Sequence, residues 1–527
     1  MLLRLVLIAA ASVVQRVAAP DDVSSSLCRR SPHHPAPQRS RSLWCSLDGV
    51  WELDRTPVDL STPPHDTYKP LPEKIVVPFP PESNRSGVGA PPLTNYLWYR
   101  RNFTVPEGWP TTGRSAVTTP ININFEGVNW ETHVYVNGEH VFPTIGSWKT
   151  TLPAGDSACI PRWNTGGCSH QGGFSSFSIG WVNDASIGGA PATRGKVNTL
   201  LVGVYNPAGI PIEKDGGGWV QGRQNCSVTP SRPDNSGRTH GCSSGITDSV
   251  WLEVLDYLGN AEHRFQENNL RIRPISPAST GRVELFAPLR GDIPGHLVKI
   301  VASLDGLVVG SVIGAAEAHH VLQVDAGAVH LWSPDSPTLY NLSFTSLSPT
   351  GEVIDKMTSY FALRDVEAST GGGNAVSIVL NGKRTPLIAV TDEGWWPDSG
   401  VTSPSDDAIV TKLRIVKALG FNAIYKPNTV ASERFYYHSD RLGVMVVQGF
   451  PCFSGANGPA TSRQRLRNFR PIITAELIWV LLQKGNHPSI VAWSLFQDGC
   501  VLSRDDNDTN GAEIDAMQQI LRRQICR

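Results

Sequence analysis

The stretch Gly485-Asn486-His487-Pro488-Ser489-Ile490-Val491-Ala492-Trp493-Ser494-Leu495-Phe496-Gln497-Asp498-Gly499 decides how the rest of the chain is interpreted. Its apolar run, Ile490 to Phe496, predicts a buried strand with both faces covered, as in a parallel sheet. The strand ends on an amide and a carboxylate, Gln497 and Asp498, and the carboxyl ends of parallel barrel strands form the mouth where chemistry takes place. The alternative, that Asp498 only caps the next turn, fits the spacing about equally well.

This stretch resembles the acid/base segment of the glycoside hydrolases of family 2, which include β-galactosidases, β-glucuronidases and β-mannosidases. Those enzymes carry Asn-His-Pro-Ser-Ile at the start of the strand, as this chain does, and Asn-Glu at its end, where this chain has Gln497-Asp498. The resemblance implies that Asp498 occupies the catalytic acid/base position and Gln497 the position of the asparagine. Aspartate is one methylene shorter than glutamate, and a displacement of roughly 1 Å can cost on the order of a hundredfold in rate.

The composition bounds the possible functions. With 527 residues the chain is long enough for three or more domains. Its net charge of −1 gives no sign of a nucleic-acid partner or of a polybasic membrane surface. The 49 Gly, 40 Pro and 15 Trp are typical of short strands joined by turns, and also of proteins that stack aromatic rings on sugars. We therefore expect no nucleic-acid or membrane partner, and the resemblance to family 2 implies a carbohydrate substrate or glycan as the partner.

The amino-terminal residues predict a secreted protein. Residues 1–19 contain one early positive charge, the apolar stretch Leu5 to Val14 and then small residues, which is the pattern of a signal peptide. The alternative is an uncleaved anchor, for which the apolar run is too short. The nine cysteines form no Cys-x-x-Cys pair, which favours an oxidising compartment over a metal site.

Two further patterns are compatible with secretion. The separations of Cys159 from Cys168 and of Cys226 from Cys242 suit disulfides, although the odd total leaves at least one thiol unpaired. Glycosylation sequences of the form Asn-x-Ser/Thr occur at Asn84, Asn102, Asn225, Asn341 and Asn507, about as many as chance would give.

The first half of the chain predicts β-structure after a flexible segment. Residues 20–42 lack hydrophobic periodicity and predict a flexible linker. Residues 43–258 show short strands between turns, which predicts a β-sandwich or jelly roll. Several of its motifs resemble the sugar-binding jelly roll of family 2: Trp98-Tyr99-Arg100-Arg101, Phe125-Glu126-Gly127-Val128, Val136-Asn137-Gly138, His170-Gln171-Gly172-Gly173-Phe174, Gly222-Arg223-Gln224, Ser244-Gly245-Ile246 and Val250-Trp251-Leu252-Glu253.

The second half divides into an all-β part and a β/α part. Residues 259–368 predict a β-sandwich of the size of an immunoglobulin-like domain, which the family resemblance also implies. Residues 369–527 alternate strands with helices, which predicts a parallel TIM barrel, of which about four of eight strands are present. The predicted fold class is thus multidomain β plus α/β: jelly roll, immunoglobulin-like sandwich and partial TIM barrel.

The β/α part supplies the other candidate site residues. The segment from Thr391 to Asp398 resembles family 2, so Asp392, Glu393 and Trp396 are predicted to bind substrate, together with Lys426 at the end of the second strand. Other positions at the predicted mouth differ from the family. Its relatives commonly place Arg and His at Tyr425 and Pro427, and an acidic residue at Gly449.

Two classes of function follow. The resemblance implies a β-glycosidase that hydrolyses O-glycosyl bonds by a retaining mechanism with two carboxyl groups about 5 Å apart. The family's nucleophile ends the seventh strand, a position this sequence does not reach, so we expect no hydrolysis by residues 1–527 alone. The alternative is an inactive relative that binds glycans or serves as a scaffold. No cofactor or metal is expected, because the 14 histidines show no ligand spacing.

Overall fold

The computed structural model describes residues 28–29, 31–57, 60, 63, 69–109, 121–141, 170–180, 195–206, 243–254, 264–289, 291, 293–370, 376–427, 429–450 and 476–494. The predicted signal peptide, the predicted disulfides Cys159–Cys168 and Cys226–Cys242, and the predicted catalytic residues Gln497 and Asp498 lie outside the described residues. None of the helices in the described part is both long and apolar enough to cross a membrane.

The first part of the chain consists of antiparallel sheets around one hydrophobic core. Its strands are β1 (Trp44–Ser46), β2 (Gly49–Asp54), β3 (Glu73–Val77), β4 (Tyr96–Thr104), β5 (Ile121–Phe125), β6 (Val128–Asn129), β7 (Glu131–Val136), β8 (Glu139–Val141), β9 (His170–Gln171), β10 (Phe177–Gly180), β11 (Val197–Tyr205), β12 (Gly245–Ile246) and β13 (Val250–Val254). Within the described residues one sheet has the order β1-β13-β5-β10 and the other β3-β2-β4-β11-β7-β8, with β9 also on β7 and β6 paired with β12. Side chains from both sheets, including Trp51, Phe103 and Phe125, share the core.

Local turn chemistry sets the register of this part. Asn137 and Gly138 have φ angles of 51° and 88° and connect β7 to β8, as the Asn-Gly dipeptide predicts. The same arrangement recurs at Asn381 and Gly382, which have φ angles of 52° and 76° and connect two later strands. Both Asn-Gly dipeptides thus form the tight turn that this pair of residues favours.

The middle part is a second pair of antiparallel sheets. Its strands are β14 (Arg271–Pro274), β15 (Arg282–Phe286), β16 (Leu297–Leu304), β17 (Leu307–Ala315), β18 (His320–Gln323), β19 (Tyr340–Leu347) and β20 (Val353–Phe361), followed by a smaller sheet of β21 (Val366–Thr370), β22 (Val376–Leu380) and β23 (Lys383–Thr385). In the described residues the orders are β14-β15-β18, β17-β16-β19-β20 and β21-β22-β23. The buried Trp332 donates a hydrogen bond to the carbonyl of Asp440 (2.9 Å) and so connects this part to the next one.

The last described part is a parallel sheet with helices between its strands. Its elements are β24 (Ala389–Thr391), α1 (Asp406–Ala418), β25 (Ala423–Lys426), α2 (Glu433–Leu442), β26 (Met445–Gly449), helical residues 476–484 (α3) and β27 (Ile490–Ser494). The strands pair in parallel in the order β24-β25-β26-β27. Ser405 caps α1, since its side chain accepts a hydrogen bond from the backbone N–H of Ala408. The predicted parallel alternation is therefore present.

Residues 31–42, part of the predicted flexible linker 20–42, are ordered, and the prediction is wrong for them. The Arg41 guanidinium forms a buried ion pair with Asp355 of β20 (2.9 Å), and Arg39 forms one with Glu433 of α2 (3.2 Å). A disulfide joins Cys28 to Cys45. The polar composition that suggested flexibility instead supplies charges for buried partners far away in the sequence.

The residues just before β27 join the middle part to the last part. The buried imidazole of His487 contacts Glu433 through Nε2 (2.8 Å) and Asp440 through Nδ1 (2.7 Å). Tyr360 of the middle part donates to the same Asp440 carboxylate (2.7 Å). Burial alone would lower the pKa of His487, but Asp440 and Glu433 outweigh it and raise the pKa. We call His487, Glu433, Asp440 and Tyr360 the histidine junction.

Helix α3 docks on the first part through a close approach of backbone and carboxylate. Glu476 accepts hydrogen bonds from the backbone N–H groups of Phe174 (2.6 Å) and Ser175 (2.9 Å). A Cβ atom at Gly172 would lie 2.1 Å from the Glu476 carboxylate, so only glycine fits there. The Gln-Gly-Gly-Phe motif recognised in the sequence thus forms an interface between parts of the chain.

We predict that Arg41→Ala destabilises the protein by about 3–5 kcal/mol, because it leaves the Asp355 carboxylate buried without its cation. The control is Arg55→Ala, since Arg55 pairs with Glu73 at partly exposed positions and should contribute about 0–1 kcal/mol. Urea unfolding of both variants measures the difference. Equal, small losses would contradict the packing of residues 31–42.

Candidate functional site

A cleft lies at the carboxyl end of β24 and β25. The empty space along the cleft measures about 470 Å³, which includes open solvent. Residues of both the parallel sheet and the first part line it: Asp248, Asp392, Gly394, Trp396, Val401, Ser403, Lys412, Lys426, Thr429, Val430, Ala431, Ser432 and Phe435. The carboxyl edge of a parallel sheet is where ligands bind in α/β folds.

Parallel pairing brings the central polar residues together. Thr391 is the partner of Tyr425 in the β24–β25 register, so Asp392 and Lys426, which follow them, lie side by side. The backbone N–H of Asp392 donates to the carbonyl of Tyr425 (2.8 Å). Helix α1 places Lys412 above the Trp396 ring, with Nζ 4.5 Å from its centroid.

Two lysines hold the Asp392 carboxylate. Its Oδ2 atom lies 2.7 Å from Lys412 Nζ and 3.2 Å from Lys426 Nζ. Burial alone would raise the pKa of Asp392, but Lys426 and Lys412 outweigh it and hold the pKa well below its usual range. Burial lowers the pKa of Lys426, which Asp392 partly offsets. Asp392 is therefore an ionised group near neutral pH and can orient a ligand, but it cannot supply a proton there.

Two carboxyl groups of the first part have pKa values shifted in the opposite direction. Burial, and after it the nearby Glu126, raises the pKa of Asp248 well above its usual range. Burial also raises the pKa of Glu126 to about 7, against the lowering effect of Lys484 and with a further rise from Glu433. The cleft therefore combines Asp392, whose pKa is lowered, with Asp248, whose pKa is raised.

Glu126 also caps helix α2 from another part of the chain. Its Oε1 atom accepts a hydrogen bond from the backbone N–H of Glu433 (2.6 Å). The residue before the helix, Ser432, makes no capping bond with its own side chain. Glu126 thus satisfies a donor that would otherwise lack an intrahelical partner, and it fixes the first part against the cleft.

The arrangement suits a polar ligand with an apolar face. Trp396 and Phe435 supply aromatic surface, while the buried Thr429 hydroxyl has no hydrogen-bond partner among the described residues. Such a mixture of aromatic surface and a few polar groups is typical of small-molecule sites. Among the described residues no group of three or more His, Cys, Asp or Glu could hold a metal ion.

Three of the predicted substrate-binding residues come together. Asp392, Trp396 and Lys426 line the cleft, whereas Glu393 is half-buried and does not line it. The predicted catalytic residues, Gln497 and Asp498, follow β27 outside the described residues. No observation tests the roles assigned to these six residues, which stay predictions.

Sequence reasoning missed Lys412, Thr429 and Asp248. Lys412 lies on α1, away from the strand ends at which the sequence predicts site residues. Thr429 lies in a loop, and no sequence motif distinguishes it from the other threonines in loops. Asp248 follows directly after the Ser244-Gly245-Ile246 motif and Thr247, and this position next to a recognised motif is the one signal that could have found it.

A family model and related sequences match the chain. The model for glycosyl hydrolases family 2 matches residues 292–364. Beta-galactosidase 2 of Enterobacter cloacae is 26% identical over 475 residues, which cover 85% of this chain and 40% of that protein. Beta-galactosidase of Lactococcus lactis is 24% identical over 178 residues, or 33% of this chain and 17% of that protein. The chain thus spans less than half the length of these relatives.

Solved structures share the fold. A family 2 glycosyl hydrolase from Bacteroides cellulosilyticus superposes with a TM-score of 0.61 at 18% identity, covering 91% of this chain and 56% of that one. A β-glucuronidase from Ruminococcus gnavus, in complex with N1-substituted uronic isofagomine, gives the same TM-score at 17% identity, with 93% and 73% covered. The likeness extends across the sheet-rich, multidomain architecture described above.

We predict that Glu126→Gln becomes more stable relative to the unmodified protein as pH rises from 5 to 8. Folding raises the Glu126 pKa, so its stabilising contribution is complete below the usual carboxyl pKa and is lost as pH rises through about 7. Glutamine accepts the same hydrogen bond without this loss, and the difference should reach on the order of 3 kcal/mol. Urea unfolding across this pH range checks it.

The control for this measurement is Glu317→Gln, at an exposed position of the middle part. Its stability relative to the unmodified protein should not change with pH. A flat difference for Glu126→Gln as well would mean that the Glu126 carboxyl is already ionised in the folded protein at pH 5.

Proposed function

Since the chain belongs to glycoside hydrolase family 2, we propose that it is a β-glycosidase that hydrolyses O-glycosyl bonds of carbohydrates. The observation that carries the proposal is the cleft at the carboxyl edge of the parallel sheet. It combines the Trp396 ring with the paired charges of Asp392, Lys412 and Lys426. Aromatic surface suits the apolar face of a sugar, and fixed charges suit its hydroxyl groups.

The finer architecture belongs to the same proposal. We assign the first part to a sugar-binding jelly roll, the middle part to an immunoglobulin-like sandwich and the last part to a TIM barrel. The antiparallel sheets around separate cores support the first two assignments. The parallel β24-β25-β26-β27 order with intervening helices supports the third.

The proposed mechanism retains the configuration of the sugar and uses two carboxyl groups. Asp498 would follow β27 as the acid/base, beside Gln497. A residue that donates and then recovers a proton must titrate near the working pH. The low pKa of Asp392 makes it unsuited to that role. We therefore assign Asp392 to substrate binding, together with Glu393, Trp396 and Lys426.

Substrate and location are part of the proposal. The relatives are named β-galactosidases, and one similar structure is a β-glucuronidase with a uronic acid analogue. Galactosides and glucuronides are therefore the first sugars to test on this chain. We propose that the protein is secreted, because residues 1–19 have the pattern of a signal peptide and the Cys28–Cys45 disulfide fits an oxidising compartment.

We predict that the protein releases 4-nitrophenol from at least one 4-nitrophenyl β-glycoside in a panel of galactoside, glucuronide, mannoside and glucosaminide. Asp498→Asn should lower kcat by roughly 10²–10⁴-fold, because general acid–base catalysis contributes that much. The matched control is Asp335→Asn on the exposed surface of the middle part, which should leave kcat unchanged.

The same assay decides between the two function classes. Binding of a sugar without release of 4-nitrophenol by any form of the protein would contradict a glycosidase and favour a glycan-binding relative. Release by the 527-residue chain that depends on Asp498 would support the proposed glycosidase and overturn the expectation, stated from the sequence, that residues 1–527 alone do not hydrolyse.

A further inference from the structure

The outer face of the β17-β16-β19-β20 sheet carries exposed apolar side chains along β17. The hairpin between β16 and β17 turns at Asp305 and Gly306, which have φ angles of 50° and 83°. Leu307 and Val308 follow the turn and are 72% and 65% exposed, and Ile313 on the same strand is 55% exposed. Neighbouring exposed apolar side chains can mark a surface that another group covers. We call Leu307, Val308 and Ile313 the β17 patch.

The strand register places Asn341 in line with this patch. Asn341 of β19 pairs with Ser303 of β16, and Ser303 pairs with Val308 of β17. Directly opposed residues of antiparallel strands project from the same face of a sheet. Because neighbouring strands lie about 4.8 Å apart, the backbones of Asn341 and Val308 are separated by about 10 Å. The inner sugars of an N-linked glycan can span that distance.

The side chain of Asn341 is directed away from the core. It is exposed, whereas the side chains before and after it, Tyr340 and Leu342, are buried in the core of the middle part. Ser343, two residues further along the strand, is exposed on the same face. Asn341, Leu342 and Ser343 form a glycosylation sequence of the form Asn-x-Ser/Thr, in which both recognised side chains face outward.

Exposure distinguishes the glycosylation sequences of the described residues from one another. Such sequences occur about as often as chance would give, so the pattern alone assigns no site. Asn102 of β4 is half-buried, and its Oδ1 atom accepts a hydrogen bond from the hydroxyl of the buried Thr199 (3.1 Å). A bulky glycan on Asn102 would disrupt this contact. Asn84 is exposed, as Asn341 is, but only Asn341 lies in a sheet whose register shows what its glycan would meet.

We propose that Asn341 is an N-glycosylation site and that its glycan covers the β17 patch. The inference goes beyond the proposed activity, and it rests on the proposed secretion, because glycans of this kind are added in the secretory pathway. A glycan is bulky and solubilising, which suits a face that carries exposed Leu307, Val308 and Ile313.

The transfer needs a sugar donor from outside the protein, an oligosaccharide attached through a diphosphate to a lipid. The Asn341 Nδ2 atom attacks the anomeric carbon of the first sugar. A carbon–nitrogen bond forms as the bond from that carbon to the diphosphate oxygen breaks. The lipid diphosphate leaves, and Nδ2 gives up one of its two protons. The hydroxyl of Ser343 completes the recognised sequence.

Peptide mapping tests the site. The full chain is produced in animal cells with its own residues 1–19 and, in a second form, with a leader of the host in their place. Treatment with peptide N-glycosidase in water labelled with heavy oxygen converts each asparagine that carried a glycan into a labelled aspartate. We expect label at Asn341 and none at Asn102. An unlabelled Asn341 in the form with the host leader overturns the inference.

Variants of the serine supply matched controls. Ser343→Ala keeps Asn341 but removes the recognised hydroxyl, so the label at Asn341 should be lost, together with the mass of one glycan. Ser343→Thr keeps the hydroxyl and should retain the label. Label at Asn341 in Ser343→Ala would contradict the assigned sequence. Label at Asn102 equal to that at Asn341 would overturn the argument from exposure.

Dye binding tests what the glycan covers. Asn341→Gln and Ser343→Ala lack the glycan and should bind more of an apolar fluorescent dye than the glycosylated protein does. Adding Val308→Ser to either variant should remove the excess, which a misfolded protein would retain. Equal dye binding with and without the glycan overturns the covering role. A dimer of the glycosylated protein that Val308→Ser dissociates would overturn it too, because a second copy would then cover the β17 patch.

The two leaders separate this inference from the proposed secretion. Label at Asn341 with the host leader but not with residues 1–19 supports the site and contradicts the proposed secretion. Label with both leaders supports both. Label with neither overturns the site. None of these results depends on hydrolysis, so an inactive protein that carries the glycan supports the site and leaves the glycosidase to the 4-nitrophenol assay.

Discussion

The histidine junction is the interaction on which the described structure depends. His487 bridges Glu433 and Asp440, while Tyr360 donates to Asp440 from the middle part. All four side chains are almost fully buried, so any charge left without its partner would be expensive. His487 and Tyr360 together satisfy the Glu433 and Asp440 carboxylates, which holds α2 of the last part against the middle part.

The histidine junction gives the Asn486-His487-Pro488 motif a structural role. Asn486 binds Leu270 and Ile272 through its side chain, and His487 completes the junction, so Asn-His-Pro holds domains together. The catalytic position lies at the other end of β27. The two ends of one strand are thus under separate physical constraints, and an intact start is compatible with the unusual Gln497-Asp498 at its end.

The sequence predicts well those features that depend on residues close together in the chain. The parallel β/α alternation depends on residues that are neighbours in the sequence, and the structure contains it. It predicts poorly the contacts between residues that lie far apart in the sequence. In the sequence Arg41 belongs to a polar segment without periodicity. Only the fold brings it beside Asp355, some 300 residues later. The same reason explains why Asp392, Trp396 and Lys426 were found on one sheet edge while Asp248, which comes from another domain, was missed.

The carboxyl groups that hold the first part against α2 also influence the electrostatics of the cleft. Glu126 holds the N-terminus of α2 and at the same time lies beside Asp248, so its protonation stabilises the interface and influences the charge on the cleft wall. Ionisation of Glu126 would add a negative charge close to Glu433, which already needs Lys484, Arg39 and His487 to keep its pKa low against burial. A site built across such an interface is complete only when the domains are docked, since one wall carries Asp248 and the other carries Asp392.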